Sequence, residues 1–277
     1  MTNYDLIKKR TSVRNYDRQE IGTSVLEEIN NYCTALNRGP FNNEVRMKLL
    51  DLGQLDRQEL KNLGTYGIIK GARYYILAAI RETDTALEDL GYCLENVIIK
   101  ATSLGLGTCW LGGTFKRTAF ASAMHLDEGE MLPAITPIGY PSREESAKGS
   151  LIRFGAQSHK RKPWKELFFL EKAERPLAES EAGPFRNALE AVRLGPSASN
   201  RQPWRLIRDD NGAYHFFLKE NIIYNRILGK YKMQYIDMGI AMSHFELVAR
   251  EEKLPGGWSR KRPAQTPSGM HYTATWL

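Results

Sequence analysis

Cysteine is scarce in this chain: Cys33, Cys93 and Cys109 are the only three in 277 residues, and none sits in a CxxC pair. An odd count without paired spacing excludes a disulfide scaffold and the usual structural zinc site. Cys93 and Cys109 lie in apolar stretches, where an inert buried thiol is expected. Long apolar runs are also missing. No uninterrupted stretch approaches the ~20 residues that span a bilayer, and the opening Met-Thr-Asn-Tyr-Asp-Leu lacks the layout of a secretory signal. A cytoplasmic protein with no membrane partner is expected. Net charge is only mildly one-sided, +7, with Lys and Arg spread along the chain. That weighs against nucleic acid and toward small anionic molecules. The five histidines show no ligand spacing, so no metal is assigned. No Ser-His-Asp or Cys-His signature is present.

What is present is an alternation of helical and extended patterns. Short helices are expected at 4–9, 57–63 and 118–124, and longer ones at 24–36 and 185–193. The strongest helix runs from Thr85 to Leu104, where Leu87, Leu90, Leu94, Val97, Ile98 and Ala101 keep a 3.6 period. A second long one covers Tyr235 to Leu254. Extended patterns fall at 45–52 and 72–80. Another spans 131–140, which Pro133 and Pro137 should make short or place at an edge. Trp204 to Arg208 and Tyr214 to Leu218 read as a hairpin around Asp210-Asn211-Gly212. Residues 272–277 read as a possible edge strand. Ser142 to Ser158 is polar, and 171–183 is charged and linker-like. Tyr66 is given a packing role.

The chain also repeats itself. Shifted by 148, Asp89, Gly91, Ala101, Leu106 and Trp110 fall on Asp237, Gly239, Ala249, Leu254 and Trp258. Shifted by 156, Gly39-Pro40 falls on Gly195-Pro196. Amphipathic helices resemble one another, but that does not explain Asp-x-Gly followed by Trp nineteen residues after the Gly. The pattern implies two related units, 1–172 and a shortened 173–277, forming one pseudo-twofold globule. A single chain would then act as a fused dimer.

Two motifs diverge between the copies. Arg10, Ser12 and Arg14 stand at spacing two, so an extended chain points them to one side. Paired guanidinium forks and a hydroxyl suit a phosphate. The second copy has nothing like this at its start. It carries instead Gly195-Pro196-Ser197-Ala198-Ser199-Asn200-Arg201-Gln202-Pro203-Trp204. There Ser197, Ser199, Asn200 and Gln202 offer donors and acceptors for a flat polar ring.

Together these motifs resemble the FMN-dependent nitroreductase family, in its single-chain, internally duplicated branch. The resemblance implies an α+β fold with a mixed, mainly antiparallel sheet flanked by helices. It places Arg10, Ser12 and Arg14 on the FMN phosphate and ribityl chain. It likens Leu104 to Gly113 to the segment near the flavin, with Leu111, Gly112 and Gly113 in backbone contact. Lys160, Arg161 and Lys162 look like the late basic motif that returns to the phosphate. Ser197, Ser199, Asn200 and Gln202 match the loop that a partner subunit supplies in dimeric relatives. One site per chain, built from both copies, is therefore expected. The implied activity is ping-pong hydride transfer from NAD(P)H, through flavin N5, to a nitroaromatic, quinone or similar flat acceptor. No side chain is assigned as catalytic. A flavin-binding storage or sensor protein is the alternative, and an anion- or nucleic-acid-binding module is a third, weaker reading.

Overall fold

In the computed structural model of the chain, residues 1–142, 160–220 and 231–277 are described. The polar stretch at 142–158 lies outside them from residue 143 onward, as does His159. Contacts divide the chain into two units: Lys9–Ala156, and Met1–Lys8 with Gln157–Leu277. The repeat boundary expected at 172/173 concerns ancestry, which a division by contacts does not address.

The 9–156 unit is built on an antiparallel sheet. Its elements are α2 (Thr23–Ala35), β1 (Val45–Asp51), α3 (Arg57–Asn62), β2 (Tyr74–Arg81), α4 (Ala86–Ser103), β3 (Gly107–Thr108), α5 (Arg117–Met124) and β4 (Glu130–Gly139). The strand order is β1-β2-β4-β3. β2 is buried from Tyr74 to Ile80, as its continuous apolar run demands. α4 is buried nearly all round, including Asp89 and Glu95, so it is a core helix. Leu50, Tyr75, Leu77, Leu111, Phe115, Phe120 and Ile135 fill one core cluster.

The strand at 130–139 is neither short nor at an edge. β4 pairs with β2 along one flank and with β3 along the other. The prolines are accommodated by parity. The Ile135 N–H points away from β2, to the Leu111 carbonyl. Pro133 and Pro137, two residues either side, direct their missing donors to that same sparsely paired flank, and the β2 register shifts beside Pro133.

The unit formed with 157–277 has its own sheet. After α1 (Asn3–Lys9) at the start of the chain come β5 (Phe168–Leu170), α6 (Arg186–Leu194), β6 (Trp204–Arg208), β7 (Tyr214–Leu218), α7 (Met233–Glu251), β8 (Trp258–Ser259) and β9 (His271–Trp276). The order is β5-β6-β7-β9-β8, parallel only between β5 and β6. The hairpin at 210–212 forms as expected. The Asp209 carboxylate accepts the Asn211 and Ala213 N–H groups, and Gly212 takes φ +86°. β9 is not the edge, because the two-residue β8 pairs with it through Trp258 and Trp276. The charged stretch 171–183 folds back on β5: the Leu177 N–H bonds the Phe168 carbonyl, and Leu177 is buried.

Each unit follows the same order: helix, Gly-Pro, antiparallel strand pair, long helix, Trp. In each, an aspartate near the start of the long helix holds the loop after Gly-Pro. Asp89 accepts the Phe41 and Asn43 N–H groups and the Asn43 amide. Asp237 accepts the Ala198 N–H at 2.9 Å. In each, the tryptophan indole N–H meets a glutamate of that helix, Trp110 to Glu95 and Trp258 to Glu246.

Candidate functional site

In the 9–156 unit the Arg10–Arg14 segment runs beside the sheet. Ser12 bridges Thr108 in parallel, and the Val13 N–H bonds the Thr108 carbonyl at 2.8 Å. The chain then passes to Lys70, which accepts the Tyr16 N–H and donates to the Arg14 carbonyl. Gly107 permits this approach: a Cβ there would lie 2.6 Å from a Val13 methyl.

Cys109, just past β3, feels all three motif side chains. Burial pushes the Cys109 thiol up, while the Arg14 and Arg10 charges and a Ser12 hydrogen bond oppose that shift. Arg10 is only 9% exposed, and its Nη1 is buried with no hydrogen-bond partner among the described residues. Arg14 Nε is orphaned in the same way, and Arg14 Nη1 reaches the Ser12 carbonyl at 3.3 Å. Buried guanidinium donors without acceptors are costly, by about 1–3 kcal/mol or more for a charged group, and an anion seated between them removes that cost. Cys109 was not singled out as a site residue, because its sequence context is simply apolar.

The segment likened to the flavin-ring contact follows directly. Leu111 spends both backbone groups on Ile135 of β4, at 3.0 Å each way. Its N–H is therefore not available to a ligand, and the open donors of this turn are those of Gly112 and Gly113. Arg117 braces the turn by donating to the Gly112, Leu132 and Pro133 carbonyls while lying over the Phe115 ring. An arginine at a helix start carries no signal for this role. Beside the turn, the Lys116 N–H bonds the Gly64 carbonyl, anchoring the 64–68 loop. Tyr66 in that loop, given a packing role by the sequence, is 61% exposed, with φ +50°.

In the other unit the late basic turn and the Ser-Asn-Gln loop are joined to each other. Arg161 donates to the Leu194 carbonyl and, at 3.3 Å, to Asn200 Oδ1. The Asn200 amide donates to the Lys160 carbonyl at 2.8 Å. Gln202 Oε1 accepts the Lys162 N–H at 2.7 Å, and its own amide bonds Lys160 and Asn200. The Ser197 hydroxyl accepts the Gln202 N–H. Ser199, Asn200 and Gln202 all adopt positive φ, near +50°. Each such non-glycine residue costs roughly 1 kcal/mol, so these hydrogen bonds hold a strained loop.

Cations gather at this loop. Lys162 is half-buried, and its ammonium is pushed down to about 8 by burial and by Arg205, Lys219 and Arg201, with Glu166 opposing. Arg205 is 6% exposed; burial lowers its pKa, and Glu166 opposes this. The positive charge here exceeds what nearby carboxylates neutralise, which is the condition for binding an anion. The structure thus brings Arg10, Ser12 and Arg14 together in one unit. In the other it brings Lys160, Arg161 and Lys162 together with Ser197, Asn200 and Gln202. Ser199 is exposed on that same loop.

The class defined so far is an α+β protein with two cation-rich loop groups, one of them carrying unsatisfied buried guanidinium donors. The family model described as "Putative TM nitroreductase" matches residues 2–249. A Thermotoga maritima protein described as a "putative nitroreductase" is similar over 100% of this chain and 93% of its own, at 22% identity and TM-score 0.61. A Clostridium difficile nitroreductase family protein aligns with 53% of this chain and 89% of its own, at 20% identity and TM-score 0.42. A Bacteroides fragilis nitroreductase with bound FMN aligns with 52% and 94%, at 19% identity and TM-score 0.39. Among curated proteins none matches. The chain belongs to the nitroreductase-like family that this model describes.

Proposed function

We propose that this chain is an FMN-dependent oxidoreductase that passes a hydride from NAD(P)H to a nitroaromatic, quinone or similar flat acceptor in a ping-pong cycle. The observation that carries the reading is the pair of orphaned, buried guanidinium donors of Arg10 and Arg14. They fit a phosphate ester, which supplies several charged acceptor oxygens at once. Bound FMN supplies the redox chemistry, and the protein supplies binding and electrostatics.

In this reading Arg10, Ser12 and Arg14 receive the phosphate and ribityl hydroxyls. Gly112 and Gly113 offer N–H groups to the ring edge, in a turn that Arg117 keeps rigid. Lys160, Arg161 and Lys162 add positive charge. Ser197, Ser199, Asn200 and Gln202 present polar groups to the ring. Donors of this kind favour negative charge that develops on a reduced ring. We further infer that the two units descend from one duplicated ancestor and that the chain binds one FMN.

The test is the absorbance spectrum of the purified protein, with released chromophore quantified against chain, followed by anaerobic addition of NADH and NADPH. About one FMN per chain that bleaches with either donor supports the reading. Flavin that stays oxidised with both removes the reductase and leaves a storage or sensor protein. A colourless chain that refuses added FMN ends the flavin reading altogether.

A further inference from the structure

The loop at 197–202 has one anchor whose chemistry the binding of FMN does not explain. Asp237, in the first turns of α7, is 2% exposed. Its Oδ1 accepts the Ala198 N–H at 2.9 Å, and its Oδ2 is buried with no hydrogen-bond partner among the described residues. Its counterpart in the other unit is differently supplied. Asp89 accepts two backbone N–H groups and the Asn43 amide. Burial raises the Asp89 carboxyl as well, but three donors oppose the shift there against one at Asp237. A buried carboxylate with a single donor is costly, whereas the neutral acid is tolerated.

The loop it holds is under strain. Ser199, Asn200 and Gln202 all lie at positive φ, and Ala198, the residue Asp237 grips, opens that run. We propose that Asp237 is a positioning residue whose neutral carboxyl clasps the strained 197–202 loop, and that ionisation of this group releases the loop by drawing water to the orphaned oxygen.

The surroundings leave this to Asp237 itself. Among the described residues on elements packed against α7, Glu190 pairs with Arg193, and Arg205 is taken by the Gln202 and Trp204 carbonyls. Arg208 bonds the Glu181 carbonyl, and His215 lies against Asp209. On α7, His244 meets the Ala191 carbonyl, and Glu246 pairs with Arg250. On the loop side, Arg201 flanks the clasp and Lys162 reaches the Gln202 carbonyl at 3.4 Å. Burial raises Asp237 to about 8, opposed only by the Ala198 N–H. A carboxyl raised in the fold favours the clasped form fully below the ordinary aspartate value near 3.8, and that advantage is lost progressively as pH rises from there to about 8.

Lys162 loses its proton in the same range, so the primary readout is the flavin-free loop. Amide hydrogen exchange over residues 195–203 is measured on the full flavin-free chain from pH 6 to 9.5, corrected for intrinsic exchange, alongside Asp237→Asn and Lys162→Met. Protection in the native chain should fall tenfold or more between pH 6 and about 8 and level off above that. Asp237→Asn, which keeps the acceptor for Ala198 but cannot ionise, should flatten the profile, and Lys162→Met should leave the fall in place. A flat profile in the native chain overturns the proposal whether or not Asp237→Asn folds. So does a fall that survives in Asp237→Asn or vanishes in Lys162→Met. Affinity for FMN in the same proteins keeps the two readings apart. A loop that opens as described while FMN binding ignores Asp237→Asn upholds the clasp and removes the loop from the flavin site.

Discussion

Arg10 carries a buried charge that no described residue satisfies at Nη1. A group of that kind destabilises the fold unless a ligand satisfies it. Arg10→Met keeps the stem and removes the orphaned donors. The expected result is a denaturation midpoint equal to or above that of the native chain without ligand. FMN affinity should be lower by about 10–100-fold, the worth of a lost charge-assisted contact. Thermal melts with and without FMN check both halves, and a stability loss without an affinity loss would make Arg10 a structural residue. Lys162 gives a second case at this scale. Its lowered pKa means that the folded chain disfavours its charge, so the penalty is greatest below pH 8 and fades toward the ordinary lysine range near 10.5. Binding an anion should reverse this, drawing protons onto Lys162 between pH 8 and 9. Calorimetric titration with FMN in two buffers of different ionisation enthalpy reads that uptake, and Lys162→Met should abolish it.

At the scale of elements, the aspartates on α4 and α7 tie each long helix to the loop after Gly-Pro. Asp89 receives three donors beneath its loop, and Gly39 lies so close that any Cβ there would overlap the carboxylate. Asp89→Ala would strand two backbone N–H groups in a part-buried place. A loss of about 2–4 kcal/mol is expected from urea unfolding, and a change under 1 kcal/mol would show that the loop re-forms its bonds elsewhere. The Gly112 turn depends similarly on Arg117, whose guanidinium serves three carbonyls. The helix at 86–103 was legible from its 3.6 apolar period, whereas the one at 233–251 is buried on nearly every side. The strand at 130–139 was legible in position but not in rank. Whether a proline's missing donor matters depends on which flank has a neighbour, and pairing across the sheet decides that. The same holds for β9, whose edge position was removed by two residues at Trp258 and Ser259.

For the whole molecule, the proposed duplication predicts arithmetic. If the chain binds one FMN, Arg14→Ala and Asn200→Ala, which belong to different units, should each abolish flavin binding. If either leaves half of the flavin bound, there are two sites and the one-site reading fails. The motifs themselves were readable without coordinates: Arg10-Thr11-Ser12-Val13-Arg14, the Gly-rich turn, the late basic turn and the Ser-Asn-Gln loop are local patterns with local chemistry. So was the repeat, because matching Asp, Gly and Trp spacings need no three-dimensional context. Burial and partnership were not readable. Nothing in the order of residues marks Arg10 as sealed with an idle donor, Cys109 as the buried thiol beside Ser12 that the Arg10 and Arg14 charges reach, or Tyr66 as exposed. Asp89 and Asp237 occupy matching places in the repeat, yet one is given three donors and the other one. Spacing along the chain determined which groups exist and which elements carry them. Packing alone decided which of those groups would be left wanting a partner, because desolvation depends on neighbours brought from distant parts of the sequence.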